Sequence, residues 1–306
     1  MRRLIIKTFI TILVPVVVFT FVMVLWTDNL SKLAHEKNVL LAYERLDSLK
    51  DVNKVVVISG SNGGFGIESQ ILADSLKMPV VNTSTHAGIG IRMQFEIYKD
   101  FLKRGDIVVF CPEYGSGQLR LYGESTLLRV LSTHLPKAYL KMNFRHWCHS
   151  FKYIGIHFLD AMEHLHFHRP IEGPYSSSAI NRYGDVEYPR EHMDIKTNDV
   201  FFSATMDEET TAFYQYLHDY LRDNGITLIH LPPALIESAY LNEGNEKNLD
   251  SLETYMKKNN IPFQAAPRRY VFPDTLFYDT PYHLTMYGAH LRTLKMVEDV
   301  KRVLKE

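Results

Sequence analysis

Apolar residues are distributed along this chain in two contrasting ways. From Leu4 to Trp26 they run almost without interruption, with Lys7 the only charge. From residue 53 onward they come as short blocks between stretches of helical spacing. The first run has 23 residues, enough at about 1.5 Å per residue to cross a hydrocarbon core of roughly 30 Å. Pro15 does not exclude a membrane helix. The run predicts an N-terminal transmembrane anchor over residues 1–27. Arg2, Arg3 and Lys7 precede or open it, Trp26 suits the far interface, and Asp28 follows. The positive-inside rule therefore puts the N-terminus in the cytoplasm and the remaining chain outside. A cleaved signal peptide is the alternative, but the run exceeds an h-region and no A-x-A site follows it.

Residues 28–52 are polar with scattered leucines and predict a helical stalk or linker. Beyond them, Val55-Val56-Val57-Ile58 is wholly apolar, the pattern of a strand covered on both faces. Helical spacing follows over 68–76, a second strand over 79–83, a helix over 93–103 and a third strand over 106–111. Residues 116–200 break the rhythm with aromatics, histidines and arginines on irregular amphipathic spacing. Alternation resumes with a helix over 207–222, a stop at Asn224-Gly225, a strand over 226–231, a helix over 249–258, a last strand over 269–272 and a closing helix over 288–304. Such alternation predicts the α/β class. The expected arrangement is a three-layer α/β/α domain over 53–306, with an open, mainly parallel, flavodoxin-like sheet and a helical insertion at about 116–200. In such sheets sites form where strand C-termini meet loops, the position of Ser61, residues 82–90 and residues 112–115.

Composition narrows the function classes. With 34 basic and 35 acidic residues among 306, the charge balance gives no support for a nucleic-acid partner. Two cysteines, Cys111 and Cys148, are too few for a disulfide framework, and Cys111 reads as a buried small hydrophobe. The run G-S-N-G-G-F-G from Gly60 lacks both the strict dinucleotide-binding pattern and the P-loop Lys-Ser/Thr, so no cofactor is expected. His164, His166 and His168 alternate, but without cysteines or carboxylates at ligand spacing no metal is expected. The segment 126–165 mixes Leu, Phe, Trp and Tyr with Lys137, Lys141, Arg145 and Lys152. It reads either as a helical cap on the sheet or as an interfacial surface near a bilayer or membrane partner.

The chemistry concentrates in two short stretches. Ser59-Gly60-Ser61-Asn62 follows the first strand, where small residues let the Ser61 hydroxyl project from a tight turn. Asp279-Thr280-Pro281-Tyr282-His283 comes more than two hundred residues later. A hydroxyl is a weak nucleophile without a base; His283 supplies one, and Asp279 orients it. Asn62 reads equally as an oxyanion donor or as a turn former.

These stretches resemble the SGNH/GDSL hydrolase superfamily. Ser61 in S-G-S-N resembles its nucleophile turn, Asn82-Thr83-Ser84-Thr85-His86-Ala87-Gly88 its second block, and Asp279 with His283, Leu284 and Gly288 its final block. The nearer likeness is to membrane-anchored extracytoplasmic members such as the alginate acetylation proteins and the D-alanyl transfer protein of teichoic acid synthesis. The resemblance implies a Ser61–His283–Asp279 triad and a Gly88 amide in the oxyanion hole. It further implies acyl-ester chemistry on an envelope glycan or glycolipid, beside a membrane-bound O-acyltransferase partner. Two departures stand out: Pro112-Glu113-Tyr114-Gly115 replaces the usual Asn block, placing Glu113 and Tyr114 at the oxyanion and substrate side, and His283 follows Asp279 by four residues rather than three. The Glu113 departure motivates an alternative, a non-catalytic accessory or binding subunit of an acyltransferase system. A tethered structural body without ligand is the third reading.

Overall fold

The computed structural model describes residues 2–25, 34–115, 117–166 and 171–305; for 5, 16, 18–25 and 161–166 it describes the backbone alone. Helix α1 spans Arg2–Leu25 and α2 Asn38–Ser48. Strand β1 (Val55–Ile58) leads through α3 (Ser61–Gly64) and α4 (Ser69–Leu76) to β2 (Val80–Asn82), then through α5 (Ile91–Tyr98) to β3 (Ile107–Phe110). The insertion holds α6 (Gln118–Tyr122), α7 (Ser125–His134), α8 (Phe144–Phe151) and α9 (Ile154–His166). After it come α10 (Glu208–Asp223), β4 (Thr227–His230), β5 (Leu235–Ile236), α11 (Glu237–Tyr240), α12 (Asn245–Lys258), β6 (Val271–Phe272) and α13 (Met286–Val303).

The main sheet is four-stranded and parallel, in the order β2-β1-β3-β4. Its centre is β-branched, and every residue of β1 and β3 is buried, as helices on both faces require. From β1 the chain moves to one neighbour through α4, then returns past β1 to β3 through α5. With right-handed crossovers these two connections fall on opposite faces. The contacts agree: α4 packs on α13, while Phe95 of α5 meets Phe213, Tyr216 and Tyr220 of α10. Helix α10 stops where Asn224-Gly225 predicts, with Gly225 at φ +68° and Ile226 N–H bonded to Leu221 O at 2.9 Å.

Two expectations need correction. The segment read as a stalk belongs to the domain from residue 34 on: Val39, Ala42 and Leu46 of α2 are buried in the core, and α2 lies against β2. The last strand does not join the main sheet. Pro267 opens a tight helical turn over Pro267–Tyr270, so only Val271–Phe272 remains extended, and it pairs with β5 in a separate two-stranded sheet. The region 171–200 has no strand or α-helix, yet it is tied to the sheet. Asn82 N–H donates to Tyr183 O, and Val186 N–H to Gly64 O, so this stretch closes the free edge of β2 and reaches the turn after β1.

Helix α1 is continuous for 24 residues, with Leu4, Phe9 and Ile12 exposed, and it lies beside α7 and α9. Among the described residues no helix is long and apolar enough to cross a membrane. Trp26 and Asp28 lie outside the described residues.

Candidate active site

Strand β1 ends in Ser59-Gly60, and Ser61 opens the single turn α3 at the C-terminal edge of the sheet. This turn is held from below. Ser59 Oγ donates to Cys111 O at 2.7 Å, and Asn62 Nδ2 donates to Ser59 Oγ at 2.7 Å and Cys111 O at 3.1 Å. From α13 the fully buried Arg292 reaches across to donate to Asn62 O at 2.7 Å and Asn62 Oδ1 at 2.8 Å. Both ends of the Asn62 side chain are thus engaged by the scaffold around the turn. The packing also explains the glycines. A Cβ on Gly63 lies 2.2 Å from Ser84 Oγ, and one on Gly60 lies 2.0 Å from Glu113 Oε2.

Asp279 and His283 are brought together by a turn. Phe277 and Leu284 form an antiparallel bridge, Tyr278 N–H donates to His283 O at 2.8 Å, and His283 N–H donates to Thr280 Oγ1 at 3.0 Å. This closed loop accommodates the four-residue spacing: His283 Nδ1 lies 2.8 Å from Asp279 Oδ1. Tyr175, from the insertion, donates its hydroxyl to Asp279 Oδ2 at 2.5 Å and lies 3.2 Å from His283 Nδ1. Burial works to raise the Asp279 pKa, but hydrogen bonds from His283 and Tyr175 outweigh it and hold the carboxyl below its ordinary value. An ionised Asp279 favours the tautomer with the proton on Nδ1, leaving the Nε2 lone pair of His283 as a base.

The imidazole and the hydroxyl flank the same turn. Phe65, whose N–H donates to Ser61 O, stacks on His283 at 4.2 Å and 10°. The guanidinium of buried Arg190 sits 5.3 Å from the same Phe65 ring and donates to Phe65 O and Leu284 O. One side chain of the insertion therefore ties the Ser61 turn to the His283 loop. No hydrogen bond joins Ser61 to His283 among the described residues. Ser61 Oγ lies instead 3.5 Å from Glu113 Oε1, at the outer limit of a hydrogen bond.

The oxyanion side differs from expectation. Glu113, which follows β3, accepts the Asn62 N–H at 2.9 Å and so occupies the mouth of the amide cradle above Gly60. The Gly88 amide donates to His86 Nδ1 at 2.9 Å, with the Glu124 carboxylate crowding the Gly88 Cα. Neither Asn62 nor Gly88 offers a free donor here. For Gly88 this departs from the role the resemblance implies, and for both residues the cause is the same: each group already has a short internal partner.

Several groups escaped the sequence reading. His35 is buried beside Phe65, His86 and Tyr175, with ring centroids at 6.1, 6.3 and 5.4 Å. Burial pushes its pKa down to about 4, against an opposing pull from Glu36. Glu36 accepts from Arg129 of α7 at 2.5 Å, and burial lowers the His86 pKa too. No motif marked these residues, because the segment carrying His35 and Glu36 looks like linker. Such a concentration of perturbed titratable groups at a strand-end cleft is typical of functional sites. Next to it, a cavity of about 330 Å³ opens between Glu113 and Pro281-Tyr282, walled by Tyr114, Phe202, Met206, Tyr214 and Phe263. The Tyr114 hydroxyl is buried there with no partner among the described residues. Among the described residues no group of His, Cys, Asp and Glu is arranged to hold a metal ion; the side chains of His164 and His166, and all of His168, lie outside them.

No family model matches the chain, and neither does any curated protein or solved structure.

Proposed function

We propose that the chain is a membrane-anchored, SGNH-like α/β/α esterase or O-acyltransferase, acting outside the cytoplasm on acyl esters of an envelope glycan or glycolipid. The Asp279–His283 pair, stacked on Phe65 one turn from Ser61, is the observation that supports this most. In the reaction Ser61 Oγ leaves Glu113 and attacks the ester carbonyl while His283 Nε2 takes its proton. The imidazolium is stabilised by Asp279, and returns the proton to the departing alkoxide. An acyl-Ser61 intermediate remains, which a glycan hydroxyl or water attacks in a second cycle through the same imidazole. The amides at the start of α3 face the developing oxyanion once Glu113 withdraws, since a carboxylate there repels it. The cavity lined by Tyr114 holds the apolar part of the substrate. Transfer is favoured over hydrolysis by the likeness to anchored accessory proteins that serve a membrane-bound O-acyltransferase, with α1 as the anchor.

Treatment with a fluorophosphonate, followed by peptide mass spectrometry, tests this. A single adduct on Ser61 is expected; a folded protein that stays unlabelled overturns the catalytic reading. One observation favours a second reading. Glu113 fills the amide cradle and the Gly88 amide is already bonded, as suits a binding subunit that guides a polymer to an acyltransferase. In that case Ser61→Ala leaves envelope acylation intact while loss of the chain abolishes it.

A further inference from the structure

Helix α8 is built inside out. The residues it buries are His146, His149 and Ser150, whereas Phe144, Trp147 and Phe151 point outward at 80%, 38% and 73% exposure. Positions 144, 147 and 151 share one helical face. The same inversion continues on both sides. Leu140 is 90% exposed, and on α9 Ile156 and Leu159 are exposed while His157 is buried. A helix facing only water gains by the opposite arrangement, and a contiguous apolar face of this kind marks an interaction surface.

Two further observations identify what covers it. From Ser125 to Leu159 there is no Asp or Glu, while Arg129, Lys137, Lys141, Arg145 and Lys152 all fall within it. Arg129 turns inward to Glu36, Lys141 pairs with Asp100 and Arg145 with Glu209, and Lys137 and Lys152 are exposed beside the apolar face. Helix α1, itself apolar, packs beside α7 and α9, the helices that precede and follow α8 in the chain. Aromatics and leucines on one face, lysines in the same segment and no acid within that segment's own sequence are the properties of a stretch lying in the interface of an anionic bilayer.

We infer that α8 and the start of α9 form a membrane-docking surface. They lay Leu140, Phe144, Trp147 and Phe151 into the headgroup region of an anionic bilayer and so hold the sheet's site at a fixed height beside the membrane. This rests on the reading of α1 as the anchor. It goes beyond tethering, because it fixes an orientation that a flexible link does not.

The chain has two tryptophans, Trp26 and Trp147, so the full-length Trp26→Phe protein reports Trp147 alone. It is reconstituted with vesicles of phosphatidylcholine and phosphatidylglycerol carrying bromine on the acyl chains near the headgroup. Docking predicts flotation with the vesicles and loss of about half or more of the Trp147 emission to bromine. It further predicts recovery of that emission in Phe144→Ser/Phe151→Ser, a surface variant whose fold is checked by circular dichroism. Flotation with unquenched Trp147 overturns the docking surface while leaving the anchor standing. A protein that does not float removes both. Quenching in neutral vesicles equal to that in anionic ones overturns the part assigned to the lysines.

Discussion

At the scale of single residues, the proposed reaction turns on Glu113, which occupies the cradle that an incoming ester needs. Glu113 accepts the Asn62 amide and touches the Ser61 hydroxyl, where the resembling family places an amide donor. Glu113→Asn exchanges a repelling acceptor for a donor. Loss of one oxyanion donor typically costs about 10²–10³ in rate. Installing one is therefore expected to speed fluorophosphonate labelling of Ser61 by about tenfold or more. Labelling that slows or stays the same shows that Glu113 has a part in the chemistry itself. Ser61, Asp279 and His283 stand out in the sequence because a strand-end serine and a late Asp/His pair are short local patterns, and of these the structure joins Asp279 to His283 directly. Tyr175, Arg190, Arg292 and His35 were not: each acts through a contact spanning scores of residues in sequence, and nothing local distinguishes it from an ordinary tyrosine, arginine or histidine.

Among the elements, the central strands were legible because their β-branched runs are buried on both faces, and the boundaries of β1 through β4 fall within a residue or so of the pattern. What pattern could not give was partnership. Val271–Phe272 is extended as expected but pairs with Leu235–Ile236, and α2 reads as polar although one face of it is buried. The N-terminal edge of the sheet carries another contact invisible in sequence. Lys54 and Asp106, both fully buried, pair at 2.8 Å where β1 and β3 begin, and Asp106 also accepts the amides of Lys54 and Lys103. Removing one partner of a buried pair strands the other charge. Lys54→Met is accordingly expected to lower stability by about 3–5 kcal/mol in urea unfolding, without changing Ser61 labelling of the protein that remains folded. A loss below about 1 kcal/mol means water reaches this end of the sheet.

For the whole molecule, the buried histidines set the response to acid. Burial lowers His35, His146 and His218 to about 4 from 6.5, while Arg92 also lowers His146 and nearby Glu36 and Asp219 partly oppose burial at His35 and His218. The folded forms stay neutral over a range in which the unfolded chain takes up protons. Stability is therefore full above pH 6.5 and falls as pH drops from 6.5 toward 4. Each group contributes on the order of 3 kcal/mol to that fall. Against the usual total of about 5–15 kcal/mol, acid unfolding is expected with a midpoint between about pH 4 and 6. Circular dichroism against pH measures it; a signal unchanged from pH 7 to 4.5 contradicts neutral burial of these rings. Asp279 acts in the same direction but at lower pH: its carboxyl is held below its ordinary value, so its contribution is complete above that value and is lost as pH falls beneath it.

The central claim is that His283 activates Ser61, although the two side chains share no hydrogen bond in this state. The rate at which a fluorophosphonate modifies Ser61 at neutral pH, compared between the unaltered protein and His283→Ala, tests it most directly. General-base catalysis by the imidazole predicts a fall of about 10²–10⁴. Equal rates in the two proteins contradict it, and leave Ser61 as a turn residue at the mouth of a binding cleft.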